Sequence, residues 1–147
     1  MPIAYRIFTD IDLCYARWTG RVSFEEASEN WALYVKDADY RPGRPELIDQ
    51  RELEFFDVSL AQIKALLHEV NKQDFPQKLG TRTVVLAQSP AAFGVARQYQ
   101  SVAALLPGIK VEIYKEEAET LTALGRPERS IAELLYGRWD EADPKEG

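Results

Sequence analysis

Three helix-start signals, each following a β-rich or turn segment, constrain this 147-residue chain more than any other feature. Ser23 with Glu26 and Ser59 with Gln62 have the spacing of a capping box, in which two side chains satisfy each other's exposed backbone amides. Val22 and Val58 precede these caps and are placed to staple onto Ala27 and Ile63. Ser89 followed by Pro90 makes the third signal, because proline at the first helical position gives up an amide that has no partner anyway. Each signal opens an apolar stripe of helical period: Phe24, Ala27, Trp31, Tyr34 and Val35; Leu60, Ile63, Leu66, Leu67 and Val70; Ala92, Ala96, Tyr99, Ala103 and Leu106.

The β-rich runs are Tyr5 to Thr9, Leu13 to Thr19, Leu47 to Asp49, Thr83 to Ala87 and Ile109 to Lys115. Asp10, Ile11 and Asp12 have the length and chemistry of a hairpin loop, so the first two runs pair antiparallel. Thr83 to Ala87 is continuously apolar after its first residue, as a central parallel strand covered on both faces must be. Ile109, Val111 and Ile113 alternate with polar neighbours, which places the last strand at an edge. Two short helices follow, one over about Glu116 to Leu124 stopped by Gly125 and one capped by Ser130. The order β-β-α-β-α-β-α-β-α-α predicts an α/β fold: a mostly parallel five-stranded sheet with an N-terminal antiparallel hairpin and helices packed on it. Residues 1–139 form one domain of that size, and the acidic stretch 140–147 lacks apolar periodicity and reads as a flexible tail.

A net charge of −6 works against binding nucleic acid or anionic lipid, both of which need cationic groups. No apolar run approaches the ~20 residues that span a bilayer, and Met1 to Arg6 lacks the core of a signal peptide, so the expected location is the cytoplasm. Cys14, the single cysteine, alternates with Ala16 and Trp18 on one strand face and reads as a small core residue. His68, the single histidine, falls off the apolar stripe of its helix and reads as solvated. It is nine residues from Ser59, about 13 Å along a helix, too far for a Ser–His pair. One histidine and one cysteine do not make a metal site, and no cofactor is implied. Asp10 with Asp12, and Asp37 with Asp39, read as turn chemistry, and the glycines are scattered singly with no phosphate loop.

One place concentrates polarity. With a strand ending at Asp49 and a loop up to Ser59, the carboxyl ends of the parallel strands gather Thr19, Arg21, Asp49, Arg51, Gln88 and Ser89 beside the helix-start amides, an edge suited to an anion or a partner.

Gly20 to Ser23 before the first helix, the strand ending in Asp49, Phe93 to Arg97 in the third helix and Val111 to Ala118 near the end together resemble the SpoIIAA-like family, which groups STAS and Sec14-like (CRAL-TRIO-like) bacterial domains. The resemblance covers residues 3–125. It implies a noncatalytic regulatory module acting through a protein partner. It also aligns Asp57 and Ser59 with the aspartate and the phosphorylated serine of STAS regulators, although Val58 and Leu60 replace the neighbouring Ser and Gly. The residues alone already explain Ser59 as a helix cap. An alternative implied by the Sec14-like members is a carrier of a small apolar or anionic ligand, with Trp31, Tyr34, Phe55 and Phe56 around a cavity of several hundred Å3. A third reading, an enzyme, requires Asp49, Arg51 and Ser59 to converge in a cleft. Trp139, beyond the last capped helix, is hard to bury within one chain and argues for a homodimer.

Overall fold

The computed structural model describes residues 2–73, 81–105, 108–139 and 145–146. Strands β1 (Ile3–Phe8) and β2 (Leu13–Ser23) form the expected antiparallel hairpin, with Asp12 in the left-handed region at its turn (φ 55°). Helix α1 (Phe24–Val35), strand β3 (Glu46–Asp57), helix α2 (Leu60–Gln73), strand β4 (Thr81–Leu86), helix α3 (Pro90–Ala103) and strand β5 (Ile109–Tyr114) follow in alternation. Helices α4 (Glu117–Ala123) and α5 (Ile131–Leu135) and the two-residue β6 (Lys145–Glu146) complete the order. The sheet runs β5-β4-β3-β2-β1-β6; β2 through β5 are parallel, and β6 adds antiparallel to β1.

Local chemistry sets these boundaries. Ser23 accepts from the Glu26 amide at 3.1 Å while Glu26 accepts from the Ser23 amide at 2.9 Å, and Ser59 with Gln62 repeats the arrangement at 3.1 and 2.9 Å. Ser89 caps α3 through the Ala92 amide. Helix α4 stops where Gly125 takes φ +70° and the Arg126 amide returns to the Leu121 carbonyl at 2.9 Å, a closure that a side chain at residue 125 would strain.

Helices divide between the two faces of the sheet. On one, α1, α2 and α3 cover Val22, Leu53, Phe56, Val85, Ile109 and Val111. On the other, α4 and α5 bring Leu121, Ile131, Leu134 and Leu135 against Tyr15, Leu47, Val84 and Leu86. Burial on both faces is what makes the centre of the sheet continuously apolar.

Two expectations change. Strand β3 does not end at Asp49 but continues to Asp57, because Glu52 to Asp57 keep pairing with Thr19 to Ser23 across two register shifts, and Leu53 and Phe56 are buried by doing so. The β2–β3 ribbon therefore extends well past β4, which pairs only with Glu46 to Asp49. Leu60, assigned to the buried stripe of α2, is 49% exposed at the first turn of its helix. Val70 as a side chain, Leu106, and residues 140–144 and 147 of the acidic tail lie outside the described residues.

Candidate functional site

The longer β3 decides where the polar residues fall. Arg21 pairs in register with Phe55 and Thr19 with Glu52, whereas Asp49 pairs with Leu86 at the end of β4. Positions 49 and 55 are six residue steps apart along β3, about 20 Å. Asp49 and Arg51 are together, but Arg21 stands apart with its guanidinium 4.9 Å from the centre of the Phe55 ring. Thr19 is half-buried, its amide bonded to the Pro2 carbonyl, and exposed Asp57 lies beside Ser23 at the far tip of the ribbon. Gln88 donates to the Lys115 carbonyl at 3.0 Å, and Ser89 is committed to its cap. The anion edge expected from sequence is thus divided into separate pieces. Asp49, Arg51 and Ser59 do not converge, with Ser59 lying beyond the end of the overhang that begins after Asp49.

At the Asp49 end the groups saturate each other. Asp49 is 3% exposed and accepts from Arg51 Nε at 2.9 Å, Arg51 Nη2 at 2.8 Å, the Arg51 amide at 3.2 Å and the Tyr15 hydroxyl at 2.6 Å. Arg51 Nη1 reaches Glu117 at 3.2 Å, and Glu117 also accepts the Ile131 amide at the start of α5. Burial pushes the Asp49 carboxyl upward, yet the bonds from Arg51 and Tyr15 and the Arg51 charge outweigh it and hold the carboxyl below its ordinary value. Burial and the Asp49 charge push the Tyr15 hydroxyl up. A carboxylate with every lone pair occupied is a structural tie between β2, β3, α4 and α5 rather than a free acid or base.

Trp139 completes this cluster. Its ring packs edge-on against Tyr15 at 5.3 Å, and the Arg17 guanidinium lies 5.0 Å from its centre. The backbone reverses after α5 at Gly137 (φ +76°), and the Trp139 amide bonds back to the Leu135 carbonyl. The chain therefore half-buries this tryptophan in its own core, which removes the observation on which the homodimer expectation rested.

A second feature was not visible as a motif. Between the sheet and α1, α2 and α3 lies a cavity of about 130 Å3, walled by Trp18, Trp31, Tyr34, Phe56 and Tyr99 with smaller apolar residues from every neighbouring element. Trp31, Tyr34 and Phe56 are on its wall as expected of the carrier alternative, while Phe55 points away and is 42% exposed. The volume is well short of the several hundred Å3 that a lipid carrier requires. Two carboxamide residues, Gln50 and Asn30, are on this wall, and their buried Oε1 and Nδ2 atoms have no partner among the described residues; Gln50 itself is only 7% exposed. The one acidic lining residue, Glu46, accepts the Thr83 hydroxyl at 2.9 Å. Burial and the Glu46 charge push the Tyr34 hydroxyl up, and burial does the same to the Cys14 thiol beside it. Gln50 carries no signal in the sequence because the expected strand ends at Asp49, just before it; once β3 continues to Asp57, Ile48 and Gln50 share a face by the period of two.

Ser59 is exposed, and its hydroxyl caps α2. Ser59→Ala lowers stability by about 1 kcal/mol, read from the urea midpoint, and an unchanged midpoint would contradict the capping role. His68 is exposed, as its helical position predicts. Among the described residues no group of three or more His, Cys, Asp or Glu side chains is placed to hold a metal ion, and no helix is long and apolar enough to cross a membrane.

No family model matches the sequence, and no curated protein matches it. Solved structures do. An uncharacterized protein of the DUF3478 family with a SpoIIAA-like fold, from Shewanella loihica PV-4, superposes with a TM-score of 0.52 at 17% identity, covering 83% of this chain and 93% of the other. An anti-sigma factor antagonist from Mycobacterium paratuberculosis superposes with a TM-score of 0.51 at 20% identity, covering 84% of this chain and 94% of the other. Sheet order, the N-terminal hairpin and these superpositions agree that the chain has the SpoIIAA-like fold.

Proposed function

We propose that this chain is a noncatalytic regulatory module, working in the cytoplasm, that docks an acidic, partly apolar protein surface in the groove between α2 and α3. The observation that carries this reading is the groove itself. Leu60 at 49% exposure, Leu105 at 79% and Val102 form its apolar part, and Lys64 and Arg97 stand on its rim. Among the described residues no carboxylate lines it, while Lys64 and Arg97 do, in a chain whose net charge is −6, and this local positive character complements an acidic partner. The anti-sigma factor antagonist that shares the fold bears a name that denotes action on another protein, which supports the same reading. Ser59 sits next to Leu60 at the groove's end. A phosphate added there places negative charge beside the groove and weakens the docking of an acidic partner, giving the module a switch.

The experiment is affinity capture with purified protein as bait. A partner is retained by the parent and lost, at least tenfold, by Leu60→Asp and by Arg97→Glu, which insert charge into the apolar floor or reverse the rim. Leu33→Asp, a leucine on α1 of similar exposure at 42%, retains it. Raising salt to about 1 M, where charges are screened within ~3 Å, releases it. Equal loss with Leu33→Asp, or retention by both groove variants, defeats the proposal.

A further inference from the structure

We propose that the chamber beneath α1, α2 and α3 is a binding site for a small uncharged aromatic molecule bearing a hydroxyl, about the size of one substituted benzene ring. This site is separate from the α2–α3 groove and does not depend on it.

Volume sets the size of the ligand. A cavity of roughly 150 Å3 walled by apolar side chains holds benzene, and this one measures about 130 Å3. Its wall is aromatic on several sides, with Trp18 and Phe56 edge to face at 5.0 Å and Trp31 beside Tyr34 at 5.6 Å, so a flat ring finds both faces and edges to pack against.

Polarity sets the functional group. Gln50 and Asn30 both line the chamber, and Gln50 Oε1 and Asn30 Nδ2 are buried without a partner among the described residues, a state that costs free energy until something supplies the missing bond. The two atoms are an acceptor and a donor, and a hydroxyl is both, so it can take the place of the missing partner for either amide. Charge excludes the other classes. Among the described residues no lysine or arginine lines the chamber, and Glu46 does, so a carboxylate or phosphate ligand meets no countercharge there and one like charge. This argues against the anionic ligand among the sequence-based alternatives.

Phenol, benzene, benzoate and dodecanoate are the probes, titrated into the full chain at neutral pH and followed by tryptophan fluorescence, since Trp18 and Trp31 report from the wall, and by calorimetry. Phenol saturates one site per chain with a dissociation constant on the order of 1 mM, the scale reached by so small a ligand. Benzoate and dodecanoate bind at least about tenfold more weakly. Gln50→Leu weakens phenol about tenfold and reverses the preference so that benzene binds more tightly than phenol. Ala96→Leu, on the α3 part of the wall, fills the space and abolishes both. Absence of saturable phenol binding, which means that the chamber holds only water, overturns the proposal, as does benzoate binding equal to phenol or a Gln50→Leu variant that keeps the parent's preference.

Discussion

Asp49→Ala lowers the stability of this protein by about 3 kcal/mol, a fall of roughly 10 °C in melting temperature for a chain of this length. The cost arises less from the lost bonds than from what they leave behind. Tyr15, fully buried, loses the acceptor of its hydroxyl, and Arg51 keeps only Glu117. Because Arg51 is 29% exposed on its side chain, water recovers part of its loss, which keeps the effect at the lower end for a broken buried pair. Replacing both partners, Asp49→Leu with Arg51→Met, is closer to the parent than Asp49→Ala, since no guanidinium is left without its main partner and the part-exposed Glu117 keeps the Ile131 amide. A double variant as unstable as the sum of its two single changes would sink this account.

The same carboxylate fixes a pH dependence. Its folded value is held below its unfolded one, so it contributes stability at all pH values above the ordinary carboxylate range and loses that contribution as pH falls through the depressed folded value. The melting-temperature difference between the parent and Asp49→Asn is therefore constant from neutral pH to about 5 and shrinks below about 4. A difference that grows on acidification contradicts the direction of the shift.

Sequence and structure agree where a local signal acts alone. The capping boxes at Ser23 and Ser59, the Ser89–Pro90 start and the Gly125 stop are short-range chemistry, and each lies where its spacing places it. The continuous apolar run in β4 correctly announced a strand covered on both faces. The misreading at β3 has a physical cause: Gln50, Arg51, Glu52 and Glu54 look like loop polarity, but they belong to a ribbon whose pairing with β2 is long-range and whose register shifts break the alternation that sequence reading relies on. That error hid Gln50 as a chamber residue and joined Arg21 to Asp49 on paper. Tyr15 and Glu117 were missed because a tyrosine in an apolar strand and a glutamate in a helix's first turn carry no signal of the partner they meet across the fold. The polar network exists only once α4 and α5 fold over the second face of the sheet.

Trp139 shows the same limit and gives the second large effect. Trp139→Ala costs about 3 kcal/mol, from lost burial, the edge-on contact with Tyr15 and the Arg17 guanidinium over its ring. Trp139→Phe costs under about 1 kcal/mol, because the smaller ring keeps much of that packing while removing an indole N–H that is buried with no partner among the described residues. The size of the Trp139→Phe cost separates packing from hydrogen bonding: were the N–H bonded, phenylalanine would be penalised further for leaving its partner unsatisfied. Since the contacts come from the same chain, the cost of Trp139→Ala is independent of protein concentration, and denaturant midpoints at two concentrations differing about a hundredfold agree for parent and variant alike. A midpoint that rises with concentration in the parent and not in Trp139→Ala places the tryptophan in a subunit interface instead, and the packing of α5 and the C-terminal turn onto Tyr15 is then the wrong explanation for its burial.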